Sequence, residues 1–107
     1  MAFDEHLAER IRSVLEEKKV VFEEKKMMGG LTFMVRDKMC VGIVKNDFMA
    51  RVGKDRYEQA LTREGAREMD FTGRPMKGYV FVAPEGIDME DDLDLWVQDC
   101  LDFNQEL

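Results

Sequence analysis

The sequence predicts an α+β domain of two layers, an antiparallel β-sheet meander with helices packed on one face, in the order α-β-β-β-β-α-β-β-α. Three observations carry that reading. Amphipathic runs at helical period stand at both ends of the chain, and residues 27–52 hold three turn signals and three short apolar runs. A further strand-like run, YVFVA at 79–83, precedes the closing helical segment.

Phe3, Leu7, Ile11, Val14 and Leu15 recur at helical spacing, with Glu9, Arg10, Arg12, Glu16 and Glu17 on the other side. This predicts a first helix of about 13 residues. Asp4 and Glu5 near its start and Lys18 and Lys19 near its end suit the helix dipole. From Val20 the β-branched pair and Phe22 begin an extended run whose charged middle, residues 23–26, places it at a sheet edge or partly in water. Gly29-Gly30 is a hairpin turn, because only glycine enters positive φ without steric cost.

Strands follow at 31–36, 39–45 and 48–52, divided by the polar Arg36-Asp37-Lys38 corner and by Asn46-Asp47. Leu31, Phe33 and Val35 share one face, and Met39, Val41 and Ile43 share one face of the next strand, yet apolar residues also occupy the opposite faces. A sheet with helices on one side should alternate more cleanly. The pattern therefore predicts that the second face is covered by another subunit or by a folded-back segment.

Gly53 ends the meander, and Tyr57, Ala60 and Leu61 mark a short helix over 54–61, closed near Gly65. Residues 70–72 read as extended, Gly73-Arg74-Pro75 as a turn, and 79–83 as a strand halted by Pro84. Asp88 fits an N-cap with Asp91 at the third helical position, and Met89, Leu93, Trp96, Cys100 and Phe103 line one side of the last helix. Trp96 is expected to anchor that helix to the sheet.

Composition narrows the function classes. At 107 residues with 45% apolar content, residues 1–107 are expected to form one domain with no second domain. A net charge of −7 opposes phosphate backbones, so direct nucleic-acid binding is disfavoured. The basic residues Arg63, Arg67, Arg74 and Lys77 are interrupted by Glu64, Glu68 and Asp70 and read as a mixed-charge surface. No run is long and apolar enough for a membrane span, and the start MAFDEHLAER lacks the basic-then-apolar pattern of a signal peptide. Cytoplasmic localisation is expected. Cys40 and Cys100, each within an apolar-periodic element, read as buried packing residues with no disulfide framework.

The residues MMGGLTFMVRDKMCVGI, then FMARVGKDRYEQAL and MDFTGRPMKGYVFV, resemble the N-terminal domain of the TfoX/Sxy family over nearly the whole chain. Lys26-Met27-Met28-Gly29-Gly30, Arg51, and Pro75-Met76 with Tyr79 occupy the places of that family's basic-Met-aromatic-Gly-Gly hairpin, basic strand end and Pro-Met-aromatic strand. Met28 stands where an aromatic residue is common, and Arg51 where lysine is common. The resemblance implies a two-layer α+β domain in a family named for regulators of natural competence. It implies no reaction, and fold likeness does not carry function.

No catalytic set emerges from the residues. His6, the single histidine, lies among charged neighbours on the first helix and reads as a surface residue. The acidic run Asp88, Glu90, Asp91, Asp92 and Asp94 lacks the glycine and final glutamate of a calcium loop. Gly29-Gly30 is followed by a strand and lacks the lysine and threonine of a phosphate-binding loop. No cofactor or metal is expected.

The nine methionines, five of them in or beside the meander, suit either an adaptable partner surface or irregular core packing. The most specific candidate is the Phe71-Thr72-Gly73-Arg74-Pro75-Met76 turn with Lys77 and Arg51, an anion-accepting or partner-accepting corner. Met28, Gly29, Gly30 and Tyr79 join it as binding candidates. The alternative for Arg74 is an internal ion pair.

The leading expectation is a non-enzymatic regulatory or protein-interaction module, a homodimer or the partner of another protein. The competing reading is a small-molecule or anion binder, or an enzyme, working through Arg51, Arg74 and Tyr79.

Overall fold

Asp4 starts the fold by accepting hydrogen bonds on one carboxylate oxygen from the backbone N–H groups of His6 (2.9 Å) and Leu7 (3.2 Å), which caps helix α1 (Glu5–Glu17). Its Leu7, Ala8, Ile11, Val14 and Leu15 are buried, the face set by the helical spacing. The helix ends with Lys19 in the left-handed region (φ 60°), where the N–H of Lys19 donates to Glu16 O and that of Val20 to Leu15 O. That pair of bonds is a Schellman ending with lysine where glycine is usual.

The computed structural model describes residues 3–27, 29–70 and 75–107, with only the backbone described at 27, 70 and 75. Strand β1 (Glu23–Met27) is followed by β2 (Gly30–Val35), β3 (Lys38–Val44), β4 (Asp47–Arg51), helix α2 (Lys54–Leu61), β5 (Ala66–Asp70), β6 (Pro75–Val82), a 3-10 turn (Pro84–Gly86) and helix α3 (Glu90–Gln105). The six strands form one antiparallel sheet of order β1-β2-β3-β4-β6-β5. The late strand β6 thus inserts between β4 and β5, and the charged β1 takes an outer edge, as its sequence predicts.

Two of the meander's hairpins turn without glycine, unlike the β1–β2 turn, where Gly29 stands at φ 75°. Arg36 (φ 55°) and Asp37 (φ 65°) make the two-residue β2–β3 loop, with both central residues at the positive φ of a type I′ turn. Lys45 (φ 57°) opens the next loop, and its carbonyl accepts from the Asp4 N–H at 2.8 Å, tying the start of α1 to this end of the sheet.

One sheet face and the helices enclose the main core. Leu31, Phe33, Val35, Val41, Ile43, Phe48, Ala50, Val80 and Val82 meet Ile11, Leu15, Leu93, Trp96 and Cys100. Trp96, Phe33 and Phe48 are essentially fully buried, each stabilising by about 1.5–3 kcal/mol relative to an exposed position. Arg63 stacks over Trp96, its guanidinium carbon 3.7 Å from the ring centroid, and bonds Asp99 at 2.8 Å, so the anchor predicted for Trp96 is capped by an arginine that is itself held in place.

The three middle strands each begin and end one residue earlier than the sequence reading, and four other boundaries differ for a physical reason. β1 starts at Glu23, three residues later than the β-branched pair predicts, because the left-handed Lys19 redirects the chain and leaves Val21 88% exposed. β5 covers 66–70 where the sequence reads as a mixed-charge surface: Ala66 and Glu68 face the helix layer, and Met69 is buried on the other side. β6 begins at Pro75, the first position of a strand being one that proline tolerates. α3 is capped by Met89, 66% exposed, and not by Asp88, because Arg10 draws the carbonyls of Ile87 (2.6 Å) and Asp88 (3.3 Å) to its guanidinium and holds that segment outside the helix.

Candidate functional site

Strand alternation on β4 turns Phe48 and Ala50 toward the helices and Asp47 and Met49 toward the opposite face, with Arg51 at the strand's end between Tyr79 and Phe103 of α3. On that second face Met49, Met69 and Phe81 form a buried cluster, with Met39, Val44 and Tyr79 partly buried around it. Phe81 is only 8% exposed because Arg67, its register partner on β5, lies over the ring at 5.0 Å and reaches Asp47 at 2.6 Å. The apolar character predicted for both faces is present, and the centre of the second face is closed by the chain's own side chains.

Arg51 and Tyr79 sit opposite each other at the end of this face. The Arg51 guanidinium carbon lies 5.4 Å from the Tyr79 ring centroid and 5.6 Å from that of Phe103, and Nη1 donates to Met39 O at 3.4 Å. Among the described residues no carboxylate pairs with Arg51. Its charge is spread over two rings and a carbonyl, an arrangement suited to the planar guanidinium.

The carbonyl is within reach because β3 carries a bulge: Phe33 pairs with Val41 and Met34 with Met39, leaving Cys40 unpaired and turned into the core. Both cysteines are buried and free. Burial pushes the Cys40 thiol up to about 12, against the lowering effect of the nearby Arg51 charge. Burial also raises Cys100 well above its ordinary value, with Cys40 and Asp99 adding to the effect and the Arg51 backbone N–H and Arg63 opposing it. Thiols held protonated are poor nucleophiles.

The candidate binding residues divide between the two ends of the sheet. Gly29 and Gly30 lie at the end where Gly30 pairs with Val44 and Val44 with Asp47, whereas Arg51 and Tyr79 lie four residues along β4, about 13 Å away at the rise of a strand. Met76, 39% exposed, and Lys77, exposed, stand on β6 close to Tyr79, after Pro75. Met28, Phe71, Thr72, Gly73 and Arg74 lie outside the described residues. Sequence reasoning missed Met69 and Phe81 as members of the second face; the signal was the period-two alternation of β5 and β6, masked in β5 by its charges.

No group of three or more histidine, cysteine or acidic side chains able to hold a metal ion occurs among the described residues. Among them no helix is long and apolar enough to cross a membrane.

An open antiparallel sheet with helices on one face and an apolar cluster on the other defines an α+β domain of the open-sheet kind. The family model described as TfoX N-terminal domain matches residues 19–104, and the chain belongs to that family. No curated protein and no solved structure matches it.

Proposed function

We propose that this member of the TfoX N-terminal domain family is a non-enzymatic regulatory module that works by protein association, as a homodimer formed through its helix-free sheet face. The observation that carries the reading is the cluster of Met49, Met69 and Phe81 with its partly buried margin of Met39, Val44 and Tyr79. A partner would cover that margin, and methionine side chains adapt to a surface that must meet another. The charged edge strand β1 discourages edge-to-edge pairing, which favours association by faces. Free, buried thiols suit a reducing, cytoplasmic compartment.

Sedimentation velocity at high micromolar concentration tests it. The expected result is a dimer that Val44→Glu or Tyr79→Glu converts to a folded monomer, while Leu95→Glu, on the exposed side of α3, leaves it intact. A monomeric wild type overturns the dimer, and a dimer indifferent to both sheet-face changes overturns the choice of face.

A further inference from the structure

Where the end of α1, the end of β2 and the C-terminal half of α3 meet, a cleft of about 390 Å³ opens, within the range of about 300–1,000 Å³ typical of small-ligand sites. Its apolar lining comes from Val20, Val21, Val35 and Leu101, of which Val35 and Leu101 are buried. One wall is fixed by the buried Asn104, whose Nδ2 donates to Val35 O at 3.0 Å. The polar lining is cationic: Lys18, Lys19 and Arg36, with the amides of Gln98, Asn104 and Gln105. No carboxylate lines the cleft among the described residues, in a chain with 23 acidic residues against 16 lysines and arginines.

The three cations are not equivalent. Lys18 is compensated, with Nζ 3.0 Å from Asp94 Oδ1 and donating to Gln98 Oε1 at 2.9 Å. Lys19 and Arg36 have no ion pair or side-chain hydrogen bond among the described residues. Both also occupy backbone positions that favour glycine, Lys19 at φ 60° after α1 and Arg36 at φ 55° in the hairpin loop. Lys19 and Arg36 are two of the four non-glycine residues at positive φ, with Asp37 and Lys45, and both flank one cavity.

We propose that this cleft binds a small amphipathic anion, a carboxylate or phosphate monoester head on an aliphatic body. Lys19 and Arg36 hold the head, and Val20, Val21, Val35 and Leu101 pack the body. Val21 then gains the cover that it lacks in the free chain. The site lies on the helix side of the sheet and does not depend on the association proposed above.

The test is an NMR titration of the isotope-labelled full chain with octanoate, octyl phosphate, octanol and inorganic phosphate. Octanoate or octyl phosphate is expected to shift the amides of Lys19, Val20, Arg36 and Asn104 saturably, and the tighter of the two identifies the head. Octanol and inorganic phosphate should bind at least about tenfold more weakly, each lacking one half of the recognition. The double variant Lys19→Asn, Arg36→Asn removes both charges with a residue that tolerates positive φ, and should weaken binding about tenfold or more. Octanol matching octanoate, inorganic phosphate matching octyl phosphate, no saturable shift with either amphipathic anion, or a folded double variant with undiminished affinity would each overturn the proposal. Should the double variant fail to fold, the head-group comparison on the unaltered chain decides alone.

Discussion

Arg12 grips Glu24 with two hydrogen bonds, Nε to Oε2 at 2.6 Å and Nη2 to Oε1 at 2.8 Å, fastening helix α1 to the edge strand β1. The hydrogen bond from Arg12 holds the Glu24 carboxyl below its ordinary value, against a smaller opposing effect of burial. A carboxylate lowered in the folded state adds stability above its unfolded pKa and loses it as the pH falls through the folded one. Glu24→Gln should therefore cost less than about 1 kcal/mol at neutral pH, the pair being partly exposed. In urea denaturation at a series of pH values, the gap to wild type should close as the solution becomes acidic. A gap that stays constant with pH would assign the effect to packing.

Gly53 stands at φ 85° and ψ 162°, a region that essentially only glycine visits, and a Cβ there would lie 2.4 Å from Phe103 Cδ1 and Cε1. Gly53→Ala combines backbone strain with overpacking and should destabilise by about 2–4 kcal/mol, read from the fluorescence of Trp96 during denaturation. Phe103→Leu in the same chain relieves only the steric part, so rescue should be incomplete. Full rescue would show that the backbone conformation itself costs nothing.

Lys19→Gly relieves the left-handed strain at the end of α1 and should raise stability by about 0.5–1 kcal/mol. The same change removes one of the two cations of the α1–α3 cleft that have no ion pair among the described residues, so the gain in stability should accompany weaker binding of an amphipathic anion. Thermal denaturation with and without octanoate measures both effects. A loss of stability in Lys19→Gly would mean that the lysine makes compensating contacts.

Both thiols should resist an aromatic disulfide reagent in the native protein at about pH 8 and react fully on unfolding. Because burial raises Cys40 to about 12 in the folded chain, its contribution is fully present below the ordinary thiol value and is lost as the pH rises toward 12. Alkaline denaturation should therefore begin at lower pH in wild type than in Cys40→Ala, relative to each protein's neutral stability. Rapid labelling of the native chain would contradict the buried placement of Cys40 and Cys100.

Much of this architecture is legible in the sequence because burial imposes a period. The i, i+3, i+4 spacing from Leu7 to Leu15 became the buried face of α1, and the alternation of Leu31, Phe33 and Val35 became the core face of β2. β5 was hidden because AREMD carries one apolar residue per face among charges; Arg67 serves the second face with its aliphatic stem, which residue type does not announce. The Arg51–Tyr79 pairing was foreseen only as a grouping of candidates, since strand order depends on β6 crossing to β4. The cleft was invisible for a related reason: its positive-φ corners are filled by lysine and arginine, so the usual glycine signal is absent.

Placing β6 between β4 and β5 also governs the order in which the molecule can assemble as it is synthesised. The strands up to Arg51 are hairpin neighbours and can zip while the polypeptide is still emerging from the ribosome, but the outer hydrogen-bonding row of β4 has no mate until residues 79–82 arrive. Nascent chains therefore pass through an interval with an open, unshielded strand margin, the stage at which neighbouring copies on a polysome are most exposed to mispairing.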